Sequence, residues 1–137
     1  MTGTILTKRW CDRVNRKKEP IRVLVCRYRP RALPKKDENW TLWRADLGPS
    51  RELHAAFYGK GGQQPITWDE YRRRYLAEMK EQAEEIDLLA EMVAGGKTIT
   101  LLCSSACEDA THCHRTLLKQ LIEDRIAARA REKPADS

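Results

Sequence analysis

Residues 21–27 read Ile-Arg-Val-Leu-Val-Cys-Arg, and this stretch decides the fold. Val23, Leu24, Val25 and Cys26 form a nearly continuous apolar run, the pattern of a strand covered on both faces. Pro30 and Pro34 end the strand and forbid a helix between them. Thr98–Cys103 (TITLLC) repeats the pattern, β-branched and apolar, and Thr4–Lys8 is a shorter candidate of the same kind. The residues between these strands carry a helical period instead. Ser50, after the Gly48-Pro49 turn, is placed to cap a helix over Arg51–Tyr58. Thr67-Trp68-Asp69-Glu70 has the form of a capping box, in which Thr67 and Glu70 satisfy each other's free backbone N–H groups. From there Tyr71, Tyr75, Met79, Ile86, Leu89 and Val93 recur at three- to four-residue steps to about Ala94. The spacing slips near Gln82, which predicts a kink or two shorter helices. A last helix is expected from about Cys113 to Ala130, with Leu117, Leu118, Leu121, Ile122 and Ile126 on its buried stripe.

Strand, helices, strand, helix is the order of an α/β fold. A helical crossover returns the chain in the same direction, so neighbouring strands run parallel. The expectation is a small, mostly parallel sheet flanked by helices in a Rossmann-like, three-layer arrangement. One domain over residues 1–130 is predicted, with a flexible tail at 131–137. In open parallel sheets ligands sit outside the carboxyl ends of the strands. That rule points at Arg27–Lys36 and at Ser104–Arg115.

The 137 residues carry 26 Lys and Arg against 20 Asp and Glu, a formal charge of +6. The excess is uneven, for residues 1–36 hold twelve basic residues and two acidic ones. A basic first quarter suits an anionic partner such as phosphate, nucleotide or nucleic acid. The plainer reading is a solvated surface balancing the acidic helices that follow. No apolar run approaches the ~18 residues of a membrane span and the N-terminus lacks a signal-peptide core, which predicts a soluble, cytoplasmic protein without a membrane partner. The five cysteines, an odd number without a secretory signal, are expected to be reduced thiols.

Three of those cysteines fall within eleven residues, in Cys103-Ser104-Ser105-Ala106-Cys107 and then His112-Cys113-His114-Arg115. Three readings compete for them. Cys113 at a helix start would have its thiolate favoured by free N–H groups and the helix dipole. His114 could then act as an acid or base, with Arg115 as the anchor of an anionic ligand and Ser104 and Ser105 in the cradle. The Cys-x5-Arg spacing of thiol phosphatases is absent, because Lys119 stands where the Arg would be. Alternatively Cys103, Cys107, Cys113 and His112 or His114 bind a metal ion or act as a redox sensor. In the third reading Cys103 and Cys107 fill core space and the histidines cap loops.

A second constellation, Arg27, Arg29 and Arg31, lies on one side of an extended segment, as a phosphate or carboxylate clamp or as a solvent-facing basic edge. Trp40 with Trp43, and Tyr71 with Tyr75, have the spacing of one helix face and read as packing residues. His54 receives no role.

Ile21–Arg31, Trp43–Tyr58, Trp68–Met79 and Ile99–Cys103 together resemble, in this order, the YeaO-like family, a branch of domain of unknown function 488. The similarity covers most of residues 21–122, and Leu47-Gly48-Pro49-Ser50-Arg51-Glu52-Leu53 is its most specific part. The resemblance implies a compact, cytoplasmic α/β domain of bacteria or archaea and attaches no activity to it. This chain departs from the branch at Cys26, where the branch typically carries an acidic residue. It departs again at Arg29-Pro30-Arg31-Ala32, where the branch reads Trp-Pro-Arg-Gly. Cys113-His114-Arg115 is similar to a Cys-His-Arg segment of the wider family.

The functional expectation is a site for an anionic small molecule, nucleotide or phosphorylated, between Arg27–Arg31 and Cys103–Arg115, with Cys113 as a reactive thiolate. The alternatives are a non-catalytic metal or redox site and a nucleic-acid accessory protein. The sequence names no cofactor and sets no oligomeric state.

Overall fold

A computed structural model describes residues 2–107 and 109–132. Four strands, β1 (Ile5–Arg9), β2 (Ile21–Leu24), β3 (Leu42–Trp43) and β4 (Ile99–Cys103), form one all-parallel sheet in the order β1-β4-β2-β3. Ile99 pairs with Ile5 on one side and Ile21 on the other, so β4 is a central strand, consistent with its complete burial. The helices are α1 (Arg51–Tyr58), α2 (Trp68–Met79), α3 (Ala83–Ala94) and α4 (His114–Glu132). This is the small, layered, parallel α/β fold expected from the strand and helix order.

The period-2 alternation of the strands sorts their side chains onto two faces. Val23, Val25, Ile99 and Leu101 meet Leu53, Tyr71, Tyr75, Met79, Leu89, Leu118 and Ile122 from the four helices. Leu24, Cys26 and Leu102 face the other way, against Trp10 and Trp40. Connecting segments, not α-helices, supply these covering residues. Arg22 is also deeply buried, at 1% exposure, and pairs with Glu19. Asn39 accepts from its Nε through the backbone carbonyl at 2.7 Å.

Local signals explain most element ends. Ser50 Oγ accepts from Leu53 N at 3.1 Å, as its position predicts, and Gly59 ends α1 with a left-handed φ of 68°. The slip at Gln82 is a real break, since a 3-10 turn over Lys80–Gln82 separates α2 from α3. Only half of the expected capping box forms. Thr67 Oγ1 accepts from Glu70 N at 3.2 Å, but the Glu70 carboxylate pairs with Arg73. Trp40 and Trp43 do not share a helix face. Trp43 lies in β3, and its Nε1 donates to the Cys26 carbonyl at 2.8 Å. Arg131 and Glu132, the first two residues of the expected tail, continue α4, and residues 133–137 lie outside the described residues. Among the described residues no helix is long and apolar enough to cross a membrane.

Ala32 adopts φ 57°, the one non-glycine residue with positive φ among those described. The resembling branch carries Gly at this position, the residue type that suits a positive φ. A left-handed L-residue costs about 1–2 kcal/mol, and the greater unfolded freedom of Gly offsets part of that. Ala32→Gly is therefore expected to stabilise the protein by about 0.5–1 kcal/mol. Thermal unfolding followed by circular dichroism should show a midpoint raised by about 2–4 °C.

Candidate functional site

The carboxyl ends of β2 and β4 open into a cavity of about 70 Å³. Cys26, Arg27 and Tyr28 line it from the end of β2, and Ser104, Cys107, His112, Cys113 and His114 line it from the segment after β4. Pro49, His54, Phe57, Tyr58 and Tyr71 close the third side. The two segments singled out by sequence thus meet across one cavity, with α1 as an additional wall.

Gly48 makes that wall possible. A Cβ there would lie 2.5 Å from the Arg27 nitrogen and 2.9 Å from the Cys26 carbonyl carbon, both backbone atoms. Pro49 then accepts from Arg27 Nε at 3.0 Å, the Leu47 carbonyl accepts from the Tyr75 hydroxyl at 2.7 Å, and Ser50 N donates to Glu78 at 2.8 Å. The Leu47–Leu53 segment is therefore the clamp that seats α1 against the end of β2. Gly48→Ala is expected to cost about 1–3 kcal/mol, as overpacked positions do. Urea unfolding should show the loss as a lower midpoint with an unchanged slope.

The segment after β4 is built in three steps. A turn at Ser104–Cys107 closes through Cys107 N donating to the Ser104 carbonyl at 3.1 Å. A 3-10 turn over Ala110–His112 is capped by Asp109, whose carboxylate accepts from Thr111 N and pairs with the His112 Nδ1 at 2.9 Å. Cys113 then caps α4 with an extended backbone, its carbonyl accepting from Thr116 N at 3.2 Å. The result brings the Cys103, Cys107 and Cys113 sulfurs to within 4.8 Å of one another.

Those three thiols share protons unequally. Hydrogen bonds from the Cys103 and Cys113 thiols outweigh the opposing effect of burial and bring Cys107 down to about 2. Ser104 Oγ donates to the same sulfur at 3.8 Å. Donation to Cys107 and Cys113, with burial, pushes the Cys103 thiol far up. A hydrogen bond from Cys103 favours the Cys113 thiolate, but donation to Cys107 and burial prevail and push Cys113 up to about 12. Cys113 is 2% exposed. Of the three thiols, Cys107 is thus the one whose pKa is lowered, and it is half-buried and lines the cavity. Cys26 lines the same cavity, its pKa raised by burial, and Cys11 is exposed away from the cluster.

His114 is buried and its pKa lowered by desolvation, so it is neutral. Its Nε2 donates to the Val25 carbonyl at 2.6 Å, which leaves Nδ1 as the acceptor nitrogen. Arg115 is 6% exposed and, among the described residues, its Nε and Nη1 have no hydrogen-bond partner. Its charge is felt at Asp12 and Cys26, and its backbone N–H donates to the Cys113 sulfur. Arg115 does not itself line the cavity.

The arginine segment is less available than its spacing suggests. Arg27 pairs with Asp46 at 3.2 Å and Arg29 with Glu38 at 2.5 Å, while Arg31 is exposed. Ser104 is half-buried and Ser105 exposed, with the Ser105 carbonyl accepting from Arg9 at 3.2 Å.

The sequence reading missed His54 and Tyr58. His54 has a buried Nδ1 without a partner among the described residues, and its ring packs edge-on to Tyr28 at 5.2 Å and against Tyr58 at 4.8 Å. The available sign was the His54-x3-Tyr58 spacing, which puts both side chains on one helix face directly after the Leu-Gly-Pro-Ser clamp.

A sequence profile described as the active DUF488-N3 subclade matches residues 5–126, from the first residue of β1 into α4. The chain belongs to that subclade. The match agrees with the resemblance to the YeaO-like branch of the same domain family. Two curated relatives, the uncharacterized proteins Mb3100c of Mycobacterium bovis and Rv3073c of Mycobacterium tuberculosis, are each 30% identical over 104 residues, covering 76% of this chain and 81% of theirs. No solved structure matches the chain. The subclade profile spans both cavity-forming segments and all three clustered cysteines.

Proposed function

We propose that this protein binds a small anionic ligand, the phosphoryl head of a nucleotide or phosphorylated metabolite, in the cavity between Arg27–Arg31 and Cys103–Arg115. The observation that carries this reading is the cavity itself, lined by both segments at the carboxyl ends of β2 and β4, where parallel sheets hold ligands. Arg115 supports it, as a buried cation whose charge is felt at the cavity-lining Cys26. A volume of 70 Å³ equals the liquid share of roughly two waters, so the head enters and the rest of the ligand stays outside. The exposed rings of Tyr28 and Tyr58 at the rim offer stacking faces for that remainder. In the cavity lining Cys107 presents the sulfur and His54 and His114 offer ring nitrogens, while Arg115, outside the lining, supplies positive charge. The word active in the subclade's description fits a site that performs chemistry.

Calorimetric titration with inorganic phosphate, a nucleoside monophosphate and the corresponding nucleoside tests the proposal. Saturable binding of phosphate, tighter binding of the monophosphate and none of the nucleoside are expected. Equal binding of the nucleoside, or no binding of any of the three, overturns it. A nucleic-acid partner has less support. Five of the twelve basic residues in the first quarter, Lys8, Arg9, Arg22, Arg27 and Arg29, are engaged in ion pairs.

A further inference from the structure

Two of the three clustered sulfurs, those of Cys107 and Cys113, line the cavity, and the spacing of the cluster suits a bound ion. We propose that Cys103, Cys107 and Cys113 hold a thiophilic cation of the zinc class, with the fourth coordination position open to the cavity. Tetrahedral zinc with Zn–S near 2.3 Å sets its sulfurs about 3.8 Å apart. The three sulfurs already lie within 4.8 Å of one another, so closing on the ion needs shifts of about 1 Å or less. They come from three different local structures, namely the end of β4, the turn after it and the cap of α4. The cluster is therefore preformed by the fold.

The surroundings suit a metal thiolate. Ser104 Oγ and the Arg115 backbone N–H donate to the Cys107 and Cys113 sulfurs, the outer hydrogen bonds that orient ligands in metal sites. Three thiolates and a divalent ion carry a net charge of −1. Arg115, buried with two unpartnered nitrogens two residues from Cys113, supplies the balancing charge. Three protein ligands with one open position is the arrangement of zinc sites that bind or transform a ligand rather than merely brace a fold. The inference rests on the anion-binding reading only for the occupant of that open position. Cys26 lines the cavity outside the sulfur trio, where it adds a thiol at a position the resembling branch gives to an acidic residue.

The experiment is titration of reduced, metal-free protein with zinc in competition with a chromophoric chelator, repeated with cobalt(II) as a spectroscopic probe. One ion per chain and a thiolate-to-cobalt charge-transfer absorption are expected. Cys107→Ser, at a half-buried position, should weaken zinc binding by more than about 100-fold, beyond the loss typical of an outer-shell partner. Cys11→Ser should leave it unchanged. A thiol-reactive dye on the unmutated chain provides a second readout, in which zinc shields the half-buried Cys107 while the exposed Cys11 continues to react. Absence of saturable binding, or Cys107→Ser binding zinc as tightly as the unmutated chain, overturns the inference. Phosphate binding is measured on the same samples. Phosphate without zinc removes the metal site and leaves the anion reading, whereas zinc without phosphate supports the metal site and removes the anion reading.

Discussion

Glu19→Gln should destabilise the protein by about 3–5 kcal/mol, the usual loss when one partner of a buried ion pair is removed. Glu19 and Arg22 are each 1% exposed at their side chains and pair beneath the face of the sheet opposite the helices. Lys8 donates to the same carboxylate at 2.6 Å and Asn15 N at 2.9 Å. Glutamine keeps the shape and removes the charge, leaving Arg22 buried without its counter-ion. Net stabilities of small domains are about 5–15 kcal/mol, so the variant should be partly unfolded under mild denaturant. Replacing both partners, with Arg22→Met added, should recover most of the loss, because the uncompensated charge is then gone. Recovery in the double variant separates electrostatics from packing. The same residue sets the acid limit. Burial alone would raise the Glu19 pKa, but hydrogen bonds from Lys8 and Asn15 and the charge of Arg22 outweigh it and hold the carboxyl below its ordinary 4.5. A carboxyl lowered on folding contributes stability that is complete above about pH 4.5 and is lost as pH falls through the lowered value. The unmutated chain should therefore lose stability more steeply in acid than Glu19→Gln, as pH-dependent urea unfolding can show.

Arg115→Met should move stability and binding in opposite directions. Arg115 is desolvated without hydrogen-bond partners for Nε and Nη1 among the described residues. Each unpartnered buried donor costs about 1–3 kcal/mol, so an apolar side chain of similar length should raise stability by about that amount. Arg115 lies outside the cavity lining, so its charge rather than a direct hydrogen bond acts on a bound anion, and removing that charge should lower phosphate affinity by about 10-fold or more in the same variant. A residue that merely braced the fold would lower stability and leave affinity unchanged. Urea unfolding and calorimetric titration of one preparation report both quantities.

The sheet was legible because β2 and β4 are buried on both faces and read as apolar runs. Ile21–Arg27 was nonetheless read too long. The strand ends at Leu24, although Val25 N still bonds the Leu102 carbonyl at 2.9 Å, because the chain turns toward Gly48 there. β3 escaped notice because two residues carry no period. The Glu19–Arg22 pair escaped notice because Glu19 stands in a mostly basic stretch before β2, and only the fold brings that stretch against Arg22 in the strand. At the site, the segments and Cys103–Arg115 were legible from position alone, at strand ends and a helix start. Which of the three thiols has its pKa lowered was not. Proton sharing among Cys103, Cys107 and Cys113 depends on distances across a turn that spacing does not encode. The occupation of Arg27 and Arg29 by Asp46 and Glu38 was equally out of reach, since both acids lie in segments that sequence places elsewhere.

A ligand site at the sulfur-lined carboxyl edge of the sheet should be visible as added mass. Native mass spectrometry of protein purified without chelator, compared with its denatured mass, tests it most directly. One zinc-class ion per chain is expected, with a phosphate adduct that is absent in Arg115→Met. The bare mass throughout, unchanged on adding zinc and phosphate, would contradict it.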